Sequence, residues 1–195
     1  MIKLDKITLG LFNPGSLGSH HEEFVVLMER HMVDIIAINE TWLHPGEDGK
    51  APRLPSYRLR HIPRPTELRS RGGGVGFYIK RGLSVRTLVH PHAPTVEQMW
   101  ITMKINQKTI IVGTAYRPPW ANTATFLDAL SDTISSLPYY DNIYLLGDFN
   151  INYLNNHDPQ KYALDLFLST HGLTQHVNKP THFRANSETL IDLFC

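Results

Sequence analysis

The chain has 195 residues and a mass of 22.2 kDa, which suits one α/β domain or one large β domain. Hydrophobic residues make up 42% of the sequence and aromatic residues 10%, so a sizeable core is available and global disorder is excluded. The single cysteine, Cys195, cannot close a disulfide within the chain, and no apolar run has the length of a membrane span. We therefore expect one intracellular domain over residues 1–195, with no signal peptide and no membrane partner.

The formal net charge of +1 conceals an uneven distribution of charge along the chain. Residues 50–86 contain ten basic residues and one acidic residue, a net +9, whereas the rest has nine basic and 17 acidic residues, a net −8. The balanced total argues against a basic tail that binds nucleic acid. The split is nevertheless typical of a protein with one surface for a polyanion and another with carboxylates. A solvated arginine-rich surface is the alternative interpretation.

The first part of the chain alternates between apolar runs and turn residues. Residues 7–12 predict a strand that ends at a turn over residues 13–15. Ser19 and Glu22 have the spacing of a capping box, which predicts that a helix begins there. The short apolar run at residues 35–38 predicts a buried strand, because a helix would be longer.

The basic segment predicts a long loop followed by strands. Residues 52–71 are rich in proline and arginine and indicate a surface loop around a short strand at residues 57–61. Residues 74–80 and 84–89 are expected to be neighbouring strands joined by a tight turn. The glycines that precede residue 75 lack a following Gly-Lys-Ser/Thr, so they predict a turn into a strand and not a nucleotide loop.

Residues 99–146 of the sequence predict two long strands, a helix and a short strand. Residues 99–105 alternate as a half-buried strand does, and residues 106–107 turn the chain into a strand over residues 108–116. Apolar spacing predicts a helix over residues 126–137, and residues 142–146 predict a buried strand.

The end of the chain predicts one more helix and a last strand. Asp158 followed by Pro159 predicts a helix start, and Gly172 predicts where that helix ends. Residues 190–194 predict the last strand. Hairpin-like strand pairs mixed with helical crossovers favour an α/β fold of two mixed sheets covered by helices.

Polar side chains stand at or beside the carboxyl ends of the predicted apolar strands, where ligands bind in α/β sheets. Three carboxylates and two amides at one edge would suit a hard divalent cation and a phosphate. Each of them could instead cap a turn. The residues are Asn13, Glu40, Tyr116, Asp148, Asn150 and Asp192.

Several motifs occur in a fixed order along the chain: Asn13, Asn39-Glu40-Thr41-Trp42-Leu43, Arg71 to Ile79, Tyr116-Arg117-Pro118-Pro119, Gly147-Asp148-Phe149-Asn150 and Thr189-Leu190-Ile191-Asp192. Together they resemble the endonuclease/exonuclease/phosphatase superfamily. More narrowly, the glycine-rich strand and the Tyr-Arg-Pro-Pro motif resemble the endonuclease domain of non-LTR (LINE-type) retrotransposons, relatives of the apurinic/apyrimidinic endonucleases. The resemblance covers essentially the whole chain and implies a four-layer sandwich, two mixed sheets flanked by helices.

The resemblance also implies a role for each matching residue. Glu40 would be the principal ligand of Mg²⁺ or Mn²⁺, and Asn13 would support the metal and the phosphate. Tyr116 would hydrogen-bond a phosphate oxygen. Asp148 would orient or deprotonate the attacking water, and Asn150 would stabilise the charge that develops on phosphorus.

The resemblance predicts a further histidine after Asp192. Asp192 would hold the histidine of a Ser-Asp-His block some tens of residues later, whereas three residues follow Asp192 here. We therefore expect a domain that lacks its last strands and terminal histidine, with activity impaired accordingly.

DNA is the expected partner, and the basic residues are the expected contacts with its phosphates. The expected function is a magnesium-dependent endonuclease that nicks DNA to prime reverse transcription, next to a reverse-transcriptase domain and acting in the nucleus. A phosphatase or phosphodiesterase of the same superfamily is one alternative, and a non-catalytic DNA-binding or interaction module is another. The residues predicted to contact DNA are Arg58, Arg60, Arg64, Arg69, Arg71, Arg117 and Thr189.

Overall fold

The apolar runs of the sequence form strands that are stacked in two sheets, with helices on the outside. The computed structural model describes residues 6–66, 68, 72–93, 95–185 and 187–195. The helices in these residues are α1 (His21–His31), α2 (Thr123–Ser136) and α3 (Pro159–Thr170). The strands are β1 (Leu9–Phe12), β2 (Ile35–Asn39), β3 (Tyr57–Ile62), β4 (Val75–Lys80), β5 (Val85–Thr87), β6 (Glu97–Ile105), β7 (Lys108–Tyr116), β8 (Asn142–Asp148), β9 (His182–Arg184), β10 (Ser187–Thr189) and β11 (Asp192–Phe194).

Both large sheets are mixed. Sheet A has the spatial order β1-β2-β4-β3, in which β1 and β2 are parallel and the other neighbours antiparallel. Sheet B has the order β11-β8-β7-β6-β5, in which β7 and β8 are parallel and the other neighbours antiparallel. Strands β9 and β10 form a separate hairpin.

Three apolar clusters hold four layers together. Phe77 and Ile79 of sheet A pack against Ile101 and Val112 of sheet B in the cluster between the sheets. Helix α1 covers the outer face of sheet A, where the rings of Phe24 and Tyr78 lie 4.8 Å apart. Helices α2 and α3 cover the outer face of sheet B. The predicted four-layer sandwich of two mixed sheets flanked by helices is therefore confirmed.

Local sequence signals explain several element boundaries. The Asp158 side chain accepts a hydrogen bond from the Gln160 amide, and Pro159 takes the first position of α3, as predicted. Asn106 and Gln107 have φ angles of 48° and 68°, the left-handed backbone that a tight hairpin requires, so β6 and β7 pair directly. Gly172, with a φ of 63°, follows the end of α3.

Three of the sequence predictions about elements were wrong. Helix α1 begins at His21, and its N-cap is His20 without a side-chain hydrogen bond, because residues 17–20 form a turn that includes Ser19. Strand β5 pairs with β6 in sheet B and not with β4, so the chain crosses between the sheets after Lys80. Strand β6 is buried on both faces except at Lys104, because sheet B has the other sheet on one side and helices on the other.

No helix among the described residues has both the length and the apolar character needed to span a membrane.

Candidate active site

The predicted polar residues meet at one edge of the sandwich, which we call the acidic edge and define by Glu40, Asp148 and Asp192. Glu40 directly follows β2, and Asp148 ends β8. Asp192 begins β11 and does not end a strand, contrary to the prediction. It reaches the same edge because β11 is antiparallel to β8 and pairs Asp192 with Asp148. The carboxylates therefore come from both sheets.

Asn13 connects the carboxylates of the two sheets. Its Nδ2 donates to Glu40 Oε1 at 3.1 Å and to Asp148 Oδ2 at 2.8 Å. Its Oδ1 accepts from the Gly15 amide at 2.9 Å, which fixes the orientation of the amide group. Asn13 therefore positions both carboxylates, and the prediction that it also supports a metal stays a prediction.

Asn39, the last residue of β2, joins the sheets beneath the acidic edge and was assigned no role from the sequence. It is fully buried. Its Nδ2 donates to Thr114 Oγ1 at 3.0 Å, and its Oδ1 accepts from the Asp148 amide at 2.6 Å. The available signal was an amide at the end of an otherwise apolar run, which needs partners when it is buried.

Glu40 is held in a backbone conformation that non-glycine residues seldom adopt. The φ angles of Glu40 and Trp42 are 56° and 55°. The loop is fixed because the Trp42 amide donates to the Gly73 carbonyl at 2.8 Å, and Trp42 Nε1 donates to Glu40 Oε2 at 3.1 Å. Both Glu40 oxygens thus accept a hydrogen bond that holds the carboxylate in place. Backbone strain of this kind is concentrated at functional sites.

The turn after β8 orients Asp148 and Asn150. The Asn150 amide donates to Asp148 Oδ1 at 2.9 Å, and Asn150 adopts a φ of 49°. Asn150 Nδ2 donates to the Arg117 carbonyl at 2.9 Å. The two side chains are therefore locked relative to each other and to the end of β7.

Arg117 supports this turn from inside the protein. It is 2% exposed, and its guanidinium donates to the carbonyls of Phe149, Asn150 and Ala121 at 2.7, 2.8 and 2.5 Å. A further hydrogen bond reaches Gln160 Oε1 at 3.0 Å. Burial lowers the pKa of Arg117. The predicted contact of Arg117 with DNA finds no support in this geometry, because the guanidinium points into the fold.

Burial raises the pKa of Asp148, Asp192 and Tyr116, and neighbouring charges raise that of Asp148 and of Tyr116 further. Burial first, and then the nearby Asp192 carboxylate, raise the pKa of Asp148 to about 7, although hydrogen bonds from Asn150 and Asn13 oppose this. Burial also raises the pKa of Asp192. Burial and the charge of Glu40 raise the pKa of the Tyr116 hydroxyl well above its ordinary value. The site therefore holds a neutral phenol and a carboxyl that titrates near neutrality.

The donor chemistry fits a hard divalent cation that binds with its substrate. Among the residues that the structure describes, no three or more His, Cys, Asp or Glu side chains form a metal-binding group on their own. Mg²⁺ often needs less, because it is held by one or two carboxylates together with substrate phosphate and water. Glu40 supplies such a carboxylate, and Asp192 Oδ1 is a buried acceptor that makes no hydrogen bond within the described part of the chain.

A cleft opens over the acidic edge, and the β9–β10 hairpin forms part of its wall. The cleft is lined by all six residues predicted from the strand ends and by Thr189 of β10. His182 and Arg184 of β9 also line it. The sequence analysis assigned His182 no role, because nothing local in the sequence indicates where the hairpin lies.

Three of the arginines predicted to contact DNA join the two sheets. Arg58 donates to the Leu83 carbonyl, just before β5, at 2.7 Å, and Arg60 donates to Thr87 Oγ1 in β5 at 2.9 Å. These bonds connect β3 to β5 and the segment before it, at the edges of the two sheets. Arg64 Nε lies 2.7 Å from Glu97 Oε1, and both side chains are nearly buried. Arg69 and Arg71 lie outside the described residues.

Glu97 is a second buried carboxylate near the site that sequence reasoning missed. It begins β6 opposite Tyr116 and accepts a short hydrogen bond from the Gly74 amide as well as the one from Arg64. Burial raises the pKa of Glu97, while Gly74 and Arg64 oppose this.

Family and fold comparisons agree on the class of protein. The family model described as "Endonuclease/Exonuclease/phosphatase family" matches residues 14–187. No curated protein matches the sequence closely enough to show a relationship.

Solved structures with this fold include enzymes that act on different substrates. The endonuclease domain of TRAS1, a telomere-specific non-LTR retrotransposon, superposes with a TM-score of 0.69 at 14% identity, covering 95% of this chain and 82% of that domain. A mannosyl-6-phosphatase from Bacteroides thetaiotaomicron gives 0.68 at 15% identity, covering 97% and 84%. The AP endonuclease of Leishmania major gives 0.68 at 12% identity, covering 96% and 78%. At these identities the likeness establishes the fold.

Proposed function

Because the chain belongs to the endonuclease/exonuclease/phosphatase family, we propose that it is a DNA-nicking endonuclease that hydrolyses phosphodiester bonds. The observation that carries the proposal is the meeting of Glu40, Asp148 and Asp192 at one edge, beneath a cleft and joined across the sheets by Asn13. The motif order and the fold shared with the TRAS1 domain support a retrotransposon endonuclease whose cut primes reverse transcription.

In this proposal Asp148 is the group that orients and deprotonates the attacking water. A pKa of about 7 suits a general base at neutral pH, because such a group is both available and basic enough. Asn13 and the Asn150 amide each donate to one Asp148 oxygen, so the carboxylate is held in one orientation. A fixed orientation avoids reorganisation during the reaction.

Asn150 and Tyr116 would bind the phosphate. Asn150 Nδ2 keeps one hydrogen beyond the hydrogen bond that it donates to Arg117, and this N–H is available to a phosphate oxygen. The raised pKa of Tyr116 keeps its hydroxyl protonated near neutral pH. This hydroxyl now hydrogen-bonds Glu40, and it would donate to a phosphate oxygen when substrate binds. Asp192 Oδ1 would accept a hydrogen bond from a donor that arrives with the substrate.

Glu40 would hold Mg²⁺ or Mn²⁺, and the bound cation would neutralise charge on the phosphate oxygens. Its two oxygens accept hydrogen bonds from Asn13 and Trp42, and Tyr116 also hydrogen-bonds this carboxylate, so the carboxylate is placed before any cation binds. DNA as substrate, an adjoining reverse-transcriptase domain and action in the nucleus complete the proposal.

Nicking of supercoiled plasmid by the purified protein tests the proposal. We expect conversion to the open-circular form with Mg²⁺ and none after chelation. Glu40→Gln and Asp148→Asn should each lower the rate at least about 100-fold, because each removes a charge that acts in the transition state. Glu29→Gln, on the exposed side of α1, is the matched control and should nick at the parental rate.

Two other results would each replace the proposal by an alternative. Release of phosphate from a sugar 6-phosphate without nicking of DNA would assign a phosphatase, the activity named for one protein of the same fold. Retention of DNA with no hydrolysis of either substrate would assign a non-catalytic binding module.

A further inference from the structure

A rigid turn after β7 presents an exposed tryptophan beside the acidic edge. The Ala121 amide donates to the Pro118 carbonyl at 2.9 Å and closes a turn over residues 118–121. Arg117 Nη1 donates to the Ala121 carbonyl at 2.5 Å, and the two prolines fix their own φ angles. Trp120 at this turn is 44% exposed. Its position is therefore set by the backbone although much of its side chain is open to solvent.

Arg64 connects Trp120 to the candidate active site. The Arg64 Cζ atom lies 5.8 Å from the centroid of the Trp120 ring and 5.9 Å from that of Tyr116. Arg64 is itself fixed by the buried Glu97 at 2.7 Å. The two ring centroids thus lie within about 12 Å of each other, which is roughly the length of three nucleotides along one strand of a duplex.

We propose that Trp120 stacks on an unpaired base of the DNA strand, within a few nucleotides of the phosphate bound at the acidic edge. The proposal rests on the proposed nuclease function and specifies the form of its substrate. Exposed aromatic rings beside a polar cleft are typical of surfaces that bind single-stranded nucleic acid, because every base offers a π-face. Pro119, the neighbour of Trp120 in the chain, lines the cleft, so the ring stands at the side of a cleft that a DNA strand could cross. A small sugar phosphate would be largely enclosed instead.

Inside an intact duplex the neighbouring base pairs cover both faces of each base, so the proposal predicts a preference for DNA that is unpaired beside the cut. Nicking of a duplex with a short mismatched bubble next to the cleaved phosphate should be faster than nicking of the fully paired duplex. The Trp120→Ala variant should lose this preference.

Binding of an oligothymidylate of about ten nucleotides, measured with the full chain in EDTA so that no cleavage occurs, tests the stacking directly. Trp120 is the most exposed tryptophan of the three, because Trp100 is fully buried and Trp42 is half-buried. We expect the oligonucleotide to quench tryptophan fluorescence in the parent but far less in Trp120→Phe. Trp120→Ala should bind about 5- to 150-fold more weakly, the range measured for loss of one stacked base.

Matched variants separate stacking from general packing. Trp120→Phe should keep most of the affinity, whereas Trp120→Leu should be as weak as Trp120→Ala, since leucine is apolar but has no ring. Tyr139→Ala removes a ring that is 80% exposed near the start of β8, at the opposite end of the sheet, and should bind like the parent. Equal thermal midpoints for these variants would show that the fold is intact.

The outcomes distinguish this inference from the proposed function. If Trp120→Ala bound the oligonucleotide as tightly as the parent, or if Tyr139→Ala lost as much affinity as Trp120→Ala, the inference would be overturned even if the protein nicks DNA. An effect of Trp120→Ala on sugar-phosphate hydrolysis but not on DNA binding would overturn it as well. If the oligonucleotide quenched the parent's fluorescence and bound Trp120→Ala more weakly, but the protein nicked no DNA, the stacking on Trp120 would be supported and the proposed nuclease activity overturned.

Discussion

Arg117 shows how much the surroundings of a residue decide its role. The sequence motif places it beside Tyr116, and an arginine there suggests a phosphate contact. In the structure its guanidinium donates to the carbonyls of Phe149 and Asn150, directly beneath the turn that orients Asp148. We interpret Arg117 as a positioning residue that holds the site from below.

Replacement of Arg117 tests this interpretation against a DNA contact. Arg117→Ala should lower kcat for nicking about 10- to 100-fold with little change in KM, because the Asp148–Asn150 turn loses its support while the DNA-facing surface is unchanged. The unfolding free energy should fall by about 2–4 kcal/mol, since several buried carbonyls lose their donor. Arg117→Lys should recover part of both.

Steady-state kinetics on plasmid and urea titrations measure these quantities. A rise in KM with kcat unchanged, and with parental stability, would return Arg117 to the DNA-contact role that the motif suggested.

The residues that sequence reasoning located and those that it missed differ in one physical respect. Glu40 and Asp148 are recognisable from the sequence alone, because a carboxylate at the end of an apolar strand indicates a specific role. Asn39 and Glu97 acquire their roles from partners far along the chain, Asp148 and Arg64. Only the packing of the two sheets brings such partners together, so no local pattern could have identified the partners.

At the scale of elements, the glycine-rich turn before β4 supports the loop that carries Glu40. Gly73 and Gly74 have φ angles of 73° and 85°, and the Gly73 carbonyl accepts from the Trp42 amide. A β-carbon on Gly73 would collide with the side chains of Arg64 and Glu97. The turn therefore needs glycine for its backbone conformation and for the ion pair that packs on it.

Two glycine variants separate these requirements. Gly46 has a comparable φ of 81°, and a β-carbon added there would meet no atom of the described residues within 4 Å. Gly46→Ala should therefore cost only the strain of a left-handed residue, about 1–2 kcal/mol of unfolding free energy. Gly73→Ala should cost about 1–3 kcal/mol more, because Arg64 and Glu97 must also move.

Chemical unfolding of the two variants measures the difference. Equal losses would mean that the Arg64–Glu97 pair shifts freely and is not fixed by the turn. The nicking rate of Gly73→Ala should fall as well, whereas that of Gly46→Ala should not.

Element predictions succeeded where the signal was local and failed where the pairing was distant. The Asp158–Pro159 start of α3 depends on adjacent residues, and it was correct. The pairing of β5 was wrong because the short link after β4 looks like a hairpin, yet the chain crosses to the other sheet. A three-residue strand has too few side chains to indicate which neighbour it will join.

For the molecule as a whole, the acidic edge is a source of instability. Below its ordinary pKa of 3.8 Asp148 is protonated whether or not the chain is folded, and it then contributes nothing to the pH dependence. Between 3.8 and about 7 the folded chain keeps this proton while the unfolded chain loses it. Stability must therefore fall as the pH rises through this window.

Asp148→Asn should remove this dependence. In EDTA, the unfolding free energy of the parent should fall relative to that of the variant by about 1.4 kcal/mol for each pH unit between about pH 4 and pH 7. Urea titrations at a series of pH values measure the difference, and Mg²⁺ should reduce it because a bound cation offsets the repulsion. Parallel curves for parent and variant would contradict the raised pKa of Asp148.

The bond from Asn13 to Asp148 spans 135 residues of sequence, and it is part of the site itself. Contacts of such sequence separation form late, after most of the loop-closure entropy has been overcome. Neither sheet by itself contains a complete acidic edge, so a folding intermediate with only one sheet would be inert toward DNA. The nicking activity recovered during refolding would then measure how far the two sheets have docked. It would appear later than the secondary structure does.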